Sequence, residues 1–468
     1  MLECFGSVYS DAIGNNVEPS KAVEVTNPQT ATLKRTLGLW DLILYGVIVI
    51  QPVAPMSVFG VLSEKGRGHV VTAILIAMVA MLFTGISYGR MARAYPSAGS
   101  AFTYVAQEIH PSVGFITGWS MVMDYMLNPL ICTIWCAGIA AGFTGGRIQP
   151  WIWKIVFAVV FTLLNIRGVK TSARVNAGLA LVMGVVILLV LAAAWRFVFS
   201  HPHDGSGYFL RPFYDATTFS WKALFACTSV AVLTYIGFDG ISTLSEEVDN
   251  PRRNILLATV YTCLAIGILS AIEVYVAQLI WPATTPFPNV DQAYVYVSAK
   301  AWAPLFAIVG GTLFVANFGS GMGAQLGAAR LLYGMGRSNA LPKKFFGAID
   351  PHSHVPRNNV FFVGVIALAG AFALTYDLGA EMLNFGALIA FMGVNLAAFL
   401  RYFVRAKEKK LTHFFPPLVG FLICLGLWLN LSWPAKKWGA LWMIAGIVFG
   451  AIKTKGFRGE LVSFDIPE

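Results

Sequence analysis

Long apolar runs, separated by short polar or Pro/Gly-rich segments, recur along almost the whole chain. Most runs have about 18 or more predominantly apolar residues, which is enough for an α-helix to cross a ~30 Å hydrocarbon core. The pattern predicts twelve membrane-spanning helices, over residues 37–64, 70–92, 111–143, 151–166, 176–199, 221–246, 254–281, 302–333, 358–376, 380–403, 412–431 and 436–452. Residues 1–36 are polar and lack an apolar stretch, so we expect a tail and no cleavable signal peptide.

Two of the predicted helices are interrupted. Pro52 and Pro55 stand in the middle of the first, where each proline removes a backbone donor and clashes with the preceding turn. In the sixth, Gly237 and Gly240 flank Asp239. Two broken helices five spans apart are typical of transporters built from inverted repeats. The alternative is a pair of ordinary helix kinks, although a kink by itself does not explain the acid at this depth.

The repeat hypothesis divides the chain into four parts. They are a cytosolic tail (1–36), a first inverted repeat of five helices (37–199), a second repeat of five (200–403), and a last part with two further helices and a cytosolic C-terminal tail (404–468). The predicted fold class is therefore an all-α polytopic membrane protein with twelve transmembrane helices. An even number of spans places both termini on the same side of the membrane.

Composition supports a lipid bilayer as the solvent of this chain. It is 57% hydrophobic and only 12% charged, with a mean hydropathy of +0.68, whereas soluble domains carry roughly 25% charged residues. The net charge of +10 reflects topology: 23 of the 33 Lys and Arg residues lie at the ends assigned to the cytosol, as the positive-inside rule expects. This placement argues against nucleic acid as a partner. The six cysteines fall mostly in apolar runs and are interpreted as small hydrophobic residues.

The chemistry of the two interruptions favours a cationic ligand. Free N–H groups at the start of a half-helix attract anions, and free carbonyl groups attract cations. Two prolines delete donors at the first interruption, and Asp239 adds a negative charge at the second.

Several motifs resemble the amino acid–polyamine–organocation transporters. They are "YPSAGSAFTYVAQEIHPSVGFITGW" (95–119), "NIRGVKTSARVN" (165–176), "GFDGISTLSEEVDNPRRN" (237–254) and "GAARLLYGMGR" (327–337). Within that superfamily, "HPSVGFITGWSMVMDYMLNP" and "LNFGALIAFMGVNLAAF" look most like bacterial putrescine importers and amino acid permeases. The resemblance extends over roughly residues 34–450.

The resemblance implies a LeuT-type five-plus-five fold and secondary transport by alternating access, rather than an enzyme. It implies a substrate site between the two interruptions, facing the third helix. Phe238 would be the aromatic ring that covers the bound molecule. Carried over by motif position, the site comprises Gln51, Pro52, Val53, Ala54, Pro55, Asp124, Tyr125, Ile236, Gly237, Phe238, Asp239 and Gly240.

Acids inside the membrane are costly and usually mark ion or substrate paths. Burial favours the neutral form of a carboxyl group and a bound ammonium favours its ionised form, so one carboxylate can serve both substrate and proton. Asp239 is the first candidate for this role and Asp124 the second; the alternative for each is a structural hydrogen bond or ion pair inside the bundle. Two acids facing one cavity would suit a diamine. Glu273 is assigned to the outer half of the seventh helix.

The coupling ion is expected to be a proton, and no other cofactor or metal is expected. In some relatives a lysine mimics a bound sodium ion; Met183 stands at that place here. Ser320 is a weak candidate ligand for sodium. The loop around residues 144–149 has no cysteine, so no disulfide-linked partner subunit is expected.

The leading functional hypothesis is import of a small cationic amine such as putrescine, or of an amino acid, across a bacterial inner membrane. The alternatives are a broad or neutral amino acid permease or exchanger and, from another class, a sensor without transport. A sensor would be expected to carry a long soluble signalling domain, whereas both predicted tails are short. The oligomeric state stays open.

Overall fold

The computed structural model describes residues 37–456, except 97–99, 168–172, 203–204, 206, 246–247, 283–284, 351–354 and 407–408. The predicted tail of residues 1–36 therefore lies outside the described residues. The same holds for Glu246 and Glu247, near the end of the sixth predicted helix, and for His203 and Asp204, in the loop after the fifth. In the described part the chain is helical, apart from turns and one isolated bridge between Leu37 and Val248.

The described residues contain seventeen α-helices, numbered in chain order. The first half of the chain contains α1 (Leu39–Ile50), α2 (Ala54–Gly66), α3 (Val70–Ala94), α4 (Ser100–Glu108), α5 (Pro111–Phe143), α6 (Pro150–Ile166), α7 (Ala173–Ser200) and α8 (Trp221–Ala231). The second half contains α9 (Gly240–Thr243), α10 (Pro251–Ile280), α11 (Ala293–Ala301), α12 (Leu305–Arg337), α13 (Lys343–Phe346), α14 (Arg357–Ala373), α15 (Tyr376–Phe399), α16 (Leu411–Leu429) and α17 (Trp433–Lys453). Two 3-10 turns (Val232–Tyr235 and Val290–Gln292) and a π-helical turn (Leu400–Val404) join them.

Nine helical segments of the described chain are long and apolar enough to cross a membrane, and the bent pair α1–α2 forms a tenth. Two shorter apolar helices, α6 and α14, fall on the predicted fourth and ninth spans. The chain is therefore a multi-pass membrane protein. The small helices α4, α11 and α13 were not expected from the sequence, because hydropathy alone does not reveal short connecting helices.

Local sequence signals explain where the spans begin. Pro111, Pro150 and Pro251 occupy the first turn of α5, α6 and α10, where the fixed φ of proline suits a helix and its missing N–H has no partner to lose. Thr375 and Ser432 cap α15 and α17 with side-chain oxygens that accept backbone N–H groups.

Small residues let the inner helices approach closely. A Cβ on Gly386 of α15 would lie 2.5 Å from the carbonyl oxygen of Ser120 in α5. A Cβ on Gly321 of α12 would lie 2.9 Å from the Cβ of Cys132, also in α5. The long helix α5 is therefore enclosed by α12 and α15, which puts its middle at the centre of the bundle.

Candidate functional site

The first interruption separates α1 from α2 by a sharp turn. α1 ends at Ile50, Gln51 has a φ of +70°, and α2 begins at Ala54 after a bend of 46° between the two helix axes. The side-chain amide of Gln51 donates a hydrogen bond of 2.6 Å to the carbonyl oxygen of Ala316 in α12. Pro52, Val53 and Pro55 are buried and Ala54 is half-buried. The predicted break is confirmed, and α12 holds it in place.

The second interruption begins earlier than the glycines suggest. α8 ends at Ala231, a 3-10 turn follows, and Ile236 is extended before the chain resumes as α9 at Gly240. Gly237 has a φ of +115°, which side chains other than that of glycine rarely adopt. A Cβ there would also lie 3.0 Å from a side-chain carbon of Val49. The two interruptions therefore lie against each other.

Asp239 lies at the contact between the two interruptions and α5. Its side chain is buried, and the hydroxyl of Tyr125 donates to its Oδ2 over 3.3 Å. The backbone N–H of Gly240 donates to the carbonyl oxygen of Gly237 over 3.0 Å, which closes a turn around Asp239. The hydroxyl of Tyr45 in α1 also lies near this turn, 3.8 Å from the position of a Cβ on Gly240. The carboxyl group of Asp239 is thus a hydrogen-bond acceptor at the break, in the centre of the bundle.

Asp124 is the neighbour of Tyr125 and lies close enough to Asp239 for the two charges to interact. Its side chain is also buried, yet within the described chain its carboxylate has no hydrogen-bond partner, and neither acid forms an ion pair with a basic side chain. The structure therefore brings together Asp124, Tyr125 and Asp239 with the two interruptions, and pairs neither acid with a basic side chain of the described residues.

Phe238 of the second interruption packs against aromatic rings of two other helices. Its ring meets Tyr88 edge-on at 5.4 Å and Phe391 at 5.2 Å between ring centroids, and its side chain is completely buried. These rings belong to α3 and α15. A role for Phe238 in covering substrate stays a prediction that requires the ring to leave this packing.

Polar residues around the first interruption bond to each other. Asn317 of α12 donates to the hydroxyl of Ser57 in α2 over 3.0 Å, and Ser320 donates to the side chain of Asn128 over 3.4 Å. The hydroxyl of Ser320, the weak sodium candidate, is therefore engaged with α5. Among the described residues, no cluster of three His, Cys, Asp or Glu side chains forms a metal site.

One end of the bundle carries a cluster of acids around a single lysine. Lys65, at the end of α2, contacts Asp377 at 3.0 Å and Glu381 at 2.7 Å on α15. Glu64 and Asp291 lie nearby: burial raises the pKa of Asp291, and the charges of Asp377 and Glu64 raise it further. We call these five residues the outer acid cluster, because the positive-inside pattern assigns this end to the outside. Four carboxyl groups against one ammonium group make this cluster acidic.

At the opposite end of the bundle, the buried acid Glu108 connects three other side chains. Glu108 of α4 accepts hydrogen bonds from Tyr95 at 2.7 Å, from Arg401 at 2.5 Å and from Arg405 at 2.7 Å. The two arginines lie in and after the π-helical turn that extends α15. This network ties the short helix between the second and third predicted spans to the end of the tenth.

Sequence reasoning missed several residues of these clusters. Asp377 and Glu381 are four positions apart and so share one face of α15, which is a signal that could have been used. Lys65 and Tyr45 had no such signal, because their partners are distant in the sequence. Only the packing of α1 and α2 against other elements brings them to their acids and to the second interruption.

Spanning helices with two interruptions in contact and carboxylates buried between them define the class of secondary transporters. The family model described as amino acid permease matches residues 53–456. The chain is 34% identical to the low-affinity putrescine importer PlaP of Escherichia coli, over 94% of this chain and 98% of that protein. It therefore belongs to the amino acid permease family of the amino acid–polyamine–organocation superfamily, as the motifs predicted.

More distant relatives have other substrates in their names. The chain is 24% identical to the branched-chain amino acid permease BcaP of Bacillus subtilis, over 89% of this chain and 92% of that protein. It is 26% identical to the vacuolar cationic amino acid transporter 4 of Arabidopsis thaliana, over 81% of this chain and 65% of that protein. All of these relatives are transporters, so the prediction that the protein is not an enzyme is confirmed.

Proposed function

We propose that the protein is a secondary active transporter that imports a small cationic amine, with a putrescine-like diamine as substrate, by alternating access coupled to protons. The observation that carries this proposal is the pair Asp124 and Asp239. Both carboxylates are buried where the two interruptions meet α5, and in the described structure neither is paired with a basic side chain. Ionised acids at this depth need a compensating charge, and the ammonium groups of a diamine supply one for each carboxylate.

The donors around the first interruption favour an amine over an amino acid. Pro52 and Pro55 have no N–H, and the N–H groups of Ala54 and Met56 bond to the carbonyl oxygens of Gln51 and Val53. Few N–H groups at the start of α2 are left to hold a substrate carboxylate. An amino acid would need this anion site, whereas a diamine would not.

The outer acid cluster supports the same charge preference. An acidic cluster on the path to the inner site would attract cations electrostatically. It also opposes the approach of anionic solutes. The 34% identity to a putrescine importer over nearly the whole chain agrees with a cationic substrate.

The finer architecture is part of this proposal. Counting the bent pair once and adding α6 and α14 to the nine segments gives twelve spans, arranged as two inverted repeats of five (37–199 and 200–403) followed by α16 and α17. The basic residues place both termini in the cytosol of a bacterial cell, with the chain in the inner membrane. In this arrangement α1–α2 and α8–α9 are the interrupted helices of the two repeats.

Asp239 would couple substrate to protons. When the amine leaves, the buried carboxylate loses its compensating charge and takes up a proton, and the next amine displaces that proton. The hydroxyl of Tyr125 holds the carboxyl group in one position in both forms. Substrate and proton then alternate at one acid.

Uptake by proteoliposomes tests the proposal. Purified protein is reconstituted, and accumulation of radiolabelled putrescine is compared with that of a panel of amino acids, with and without an inward proton gradient. We expect putrescine to accumulate only with the gradient. Asp124→Asn and Asp239→Asn should each weaken putrescine binding by about 10- to 100-fold, because a hydrogen bond to a charged group contributes about 1.5–3 kcal/mol.

The matched control is Asp41→Asn, the same change at an exposed position of α1. It should transport as the unmodified protein does. Putrescine that neither accumulates nor competes would refute the amine proposal, and uptake of a neutral amino acid instead would establish the permease alternative. Full gradient-driven uptake by Asp239→Asn would refute the assignment of the proton site.

A further inference from the structure

Glu273 is a buried acid that the proposed substrate site does not use. It lies on α10, its side chain is completely buried, and within the described chain neither of its carboxyl oxygens has a hydrogen-bond partner. An ionised carboxylate without a partner is strongly unfavourable in such a place. These surroundings therefore favour the neutral, protonated form of the Glu273 carboxyl.

Glu273 lies on the face of α10 that is packed toward α1 and α2, the two halves of the first interrupted helix. At one end of this face Thr262 contacts α1: its Oγ1 is 2.8 Å from the position of a Cβ on Gly46. Glu273 follows eleven residues later, which is about three turns and nearly the same direction around the helix. The hydroxyls of Thr262 and Ser270 are also buried and, in the described part of the chain, without partners.

At the Glu273 level this face meets α2 through one intermediate residue. Tyr294 of α11 donates a hydrogen bond of 3.1 Å to the backbone carbonyl of Glu273. Its ring packs edge-on against Phe59 of α2, with 5.5 Å between the ring centroids. A movement of α2 relative to α10 would therefore be transmitted through Tyr294 to the turn of α10 that carries Glu273.

Glu273 is separate from the amine site. The charge of Asp239 acts on Cys263 of α10, ten residues before Glu273, which corresponds to about 15 Å along the helix. The titratable group that faces Glu273 is Tyr294. No other ionisable side chain of the described elements packed on α10 acts on this carboxyl. The ionisable side chains on those elements are His69 before α3, Tyr88, Arg90 and Arg93 of α3, Asp41 and Tyr45 of α1, Glu64 and Lys65 of α2, Arg196 of α7, Tyr235 and Asp239 of the second interruption, and Tyr296 and Lys300 of α11.

We propose that Glu273 is a second proton-binding site of the transport cycle, at a distance from the amine site, which releases its proton when α2 moves away from α10. This inference rests on the proposed function. The step is a simple dissociation: the O–H bond of the carboxyl group breaks, the proton passes to water that enters beside α2, and the carboxylate remains. Reprotonation reverses it. The acid thus couples the proton gradient to the position of a half-helix, whereas Asp239 couples it to substrate occupancy.

The decisive variant is Glu273→Gln, which keeps the size of the side chain and cannot release a proton. In proteoliposomes we expect putrescine counterflow, which needs no gradient, to stay within about twofold of the unmodified protein. Accumulation driven by an inward gradient should fall about tenfold per unit of pH difference, which is what one coupled proton contributes. Glu273→Asp keeps a titratable carboxyl and should restore part of the response. Gln278→Leu, on the same helix, is the matched control for loss of a polar group and should leave both activities unchanged.

A spectroscopic measurement gives a readout that does not depend on transport. Infrared difference spectra of the purified protein between about pH 5 and about pH 9 should contain the carbonyl band of a protonated carboxyl group that Glu273→Gln removes. The inference is overturned if this band is unchanged in Glu273→Gln, if driven uptake is unchanged, or if counterflow falls together with driven uptake. Uptake that requires sodium rather than a proton gradient would also overturn it. A failure of the unmodified protein to move any amine would instead refute the proposed function.

Discussion

Gly386 of α15 offers a test of how closely the helices around the candidate site must pack. A Cβ at this position would lie 2.5 Å from the carbonyl oxygen of Ser120 and 3.3 Å from the backbone nitrogen of Asp124. Ordinary contacts of a Cβ begin near 3.4 Å, so Gly386→Ala requires α5 and α15 to separate by about 0.9 Å. The obstructing atom belongs to the backbone of a helix and cannot rotate away.

Overpacking of this kind costs about 1–3 kcal/mol of stability. We expect Gly386→Ala to lower the temperature of unfolding in detergent, followed by tryptophan fluorescence, by several degrees. Because Asp124 follows directly on the displaced turn of α5, putrescine affinity in a competition assay should fall as well. The introduced methyl group does not itself touch the carboxylate, so the loss would be transmitted by the backbone.

The control is Gly323→Ala on α12, where a Cβ meets no atom within 4 Å and the residue is exposed on the bundle surface. Alanine is favoured over glycine inside a helix by about 0.5–1 kcal/mol, so this variant should be as stable as the unmodified protein or slightly more so. If Gly386→Ala unfolds and binds like Gly323→Ala, the argument that close packing positions Asp124 is refuted.

Two further predictions concern charged contacts. Tyr125→Phe removes one hydrogen-bond donor from Asp239 but keeps the aromatic ring. Because the hydrogen bond is long at 3.3 Å, we expect putrescine affinity to fall about tenfold, at the lower end of the range for charged hydrogen bonds; an unchanged affinity would contradict the assignment. Lys65→Met removes the ammonium group that pairs with Glu381, whose side chain is only 4% exposed. Because an unpaired buried charge destabilises the contact between α2 and α15, thiol labelling of cysteines introduced at the outer end should become faster. The double variant with Glu381→Leu should return labelling toward the original rate, and additive effects of the two changes would contradict coupling through this pair.

The arrangement of spans was accessible from the sequence because membrane helices depend on local properties. A predicted span at 111–143 corresponds to α5, Pro111–Phe143, since a proline and a cap start the helix and lipid selects the apolar run. The break of the first helix was also local, because two prolines cannot continue it. The prediction placed the second break at Gly237 and Gly240, which is too late in the chain. The α-helix already ends at Ala231, where there is no proline or glycine.

The site was only partly accessible from the sequence. Asp239 stood out because an acid between two glycines is rare in an apolar run, and Asp124 and Tyr125 were placed by resemblance. The hydrogen bond between Tyr125 and Asp239 joins residues 114 positions apart and depends on how α5 packs against the second interruption. The partners of Lys65 and Glu108 lie even further along the chain.

By itself, the sequence determined that this chain is a membrane protein and which family it belongs to. It also indicated which segments span the membrane and which two helices are interrupted. These properties depend on hydrophobicity, on proline and glycine, and on motifs of adjacent residues. Only the tertiary structure decided which acids are paired. Glu108 and Glu381 have cations, whereas Asp124 and Glu273 have none among the described residues. That difference follows from packing between distant helices, because the energy of a buried charge depends on its neighbours in space.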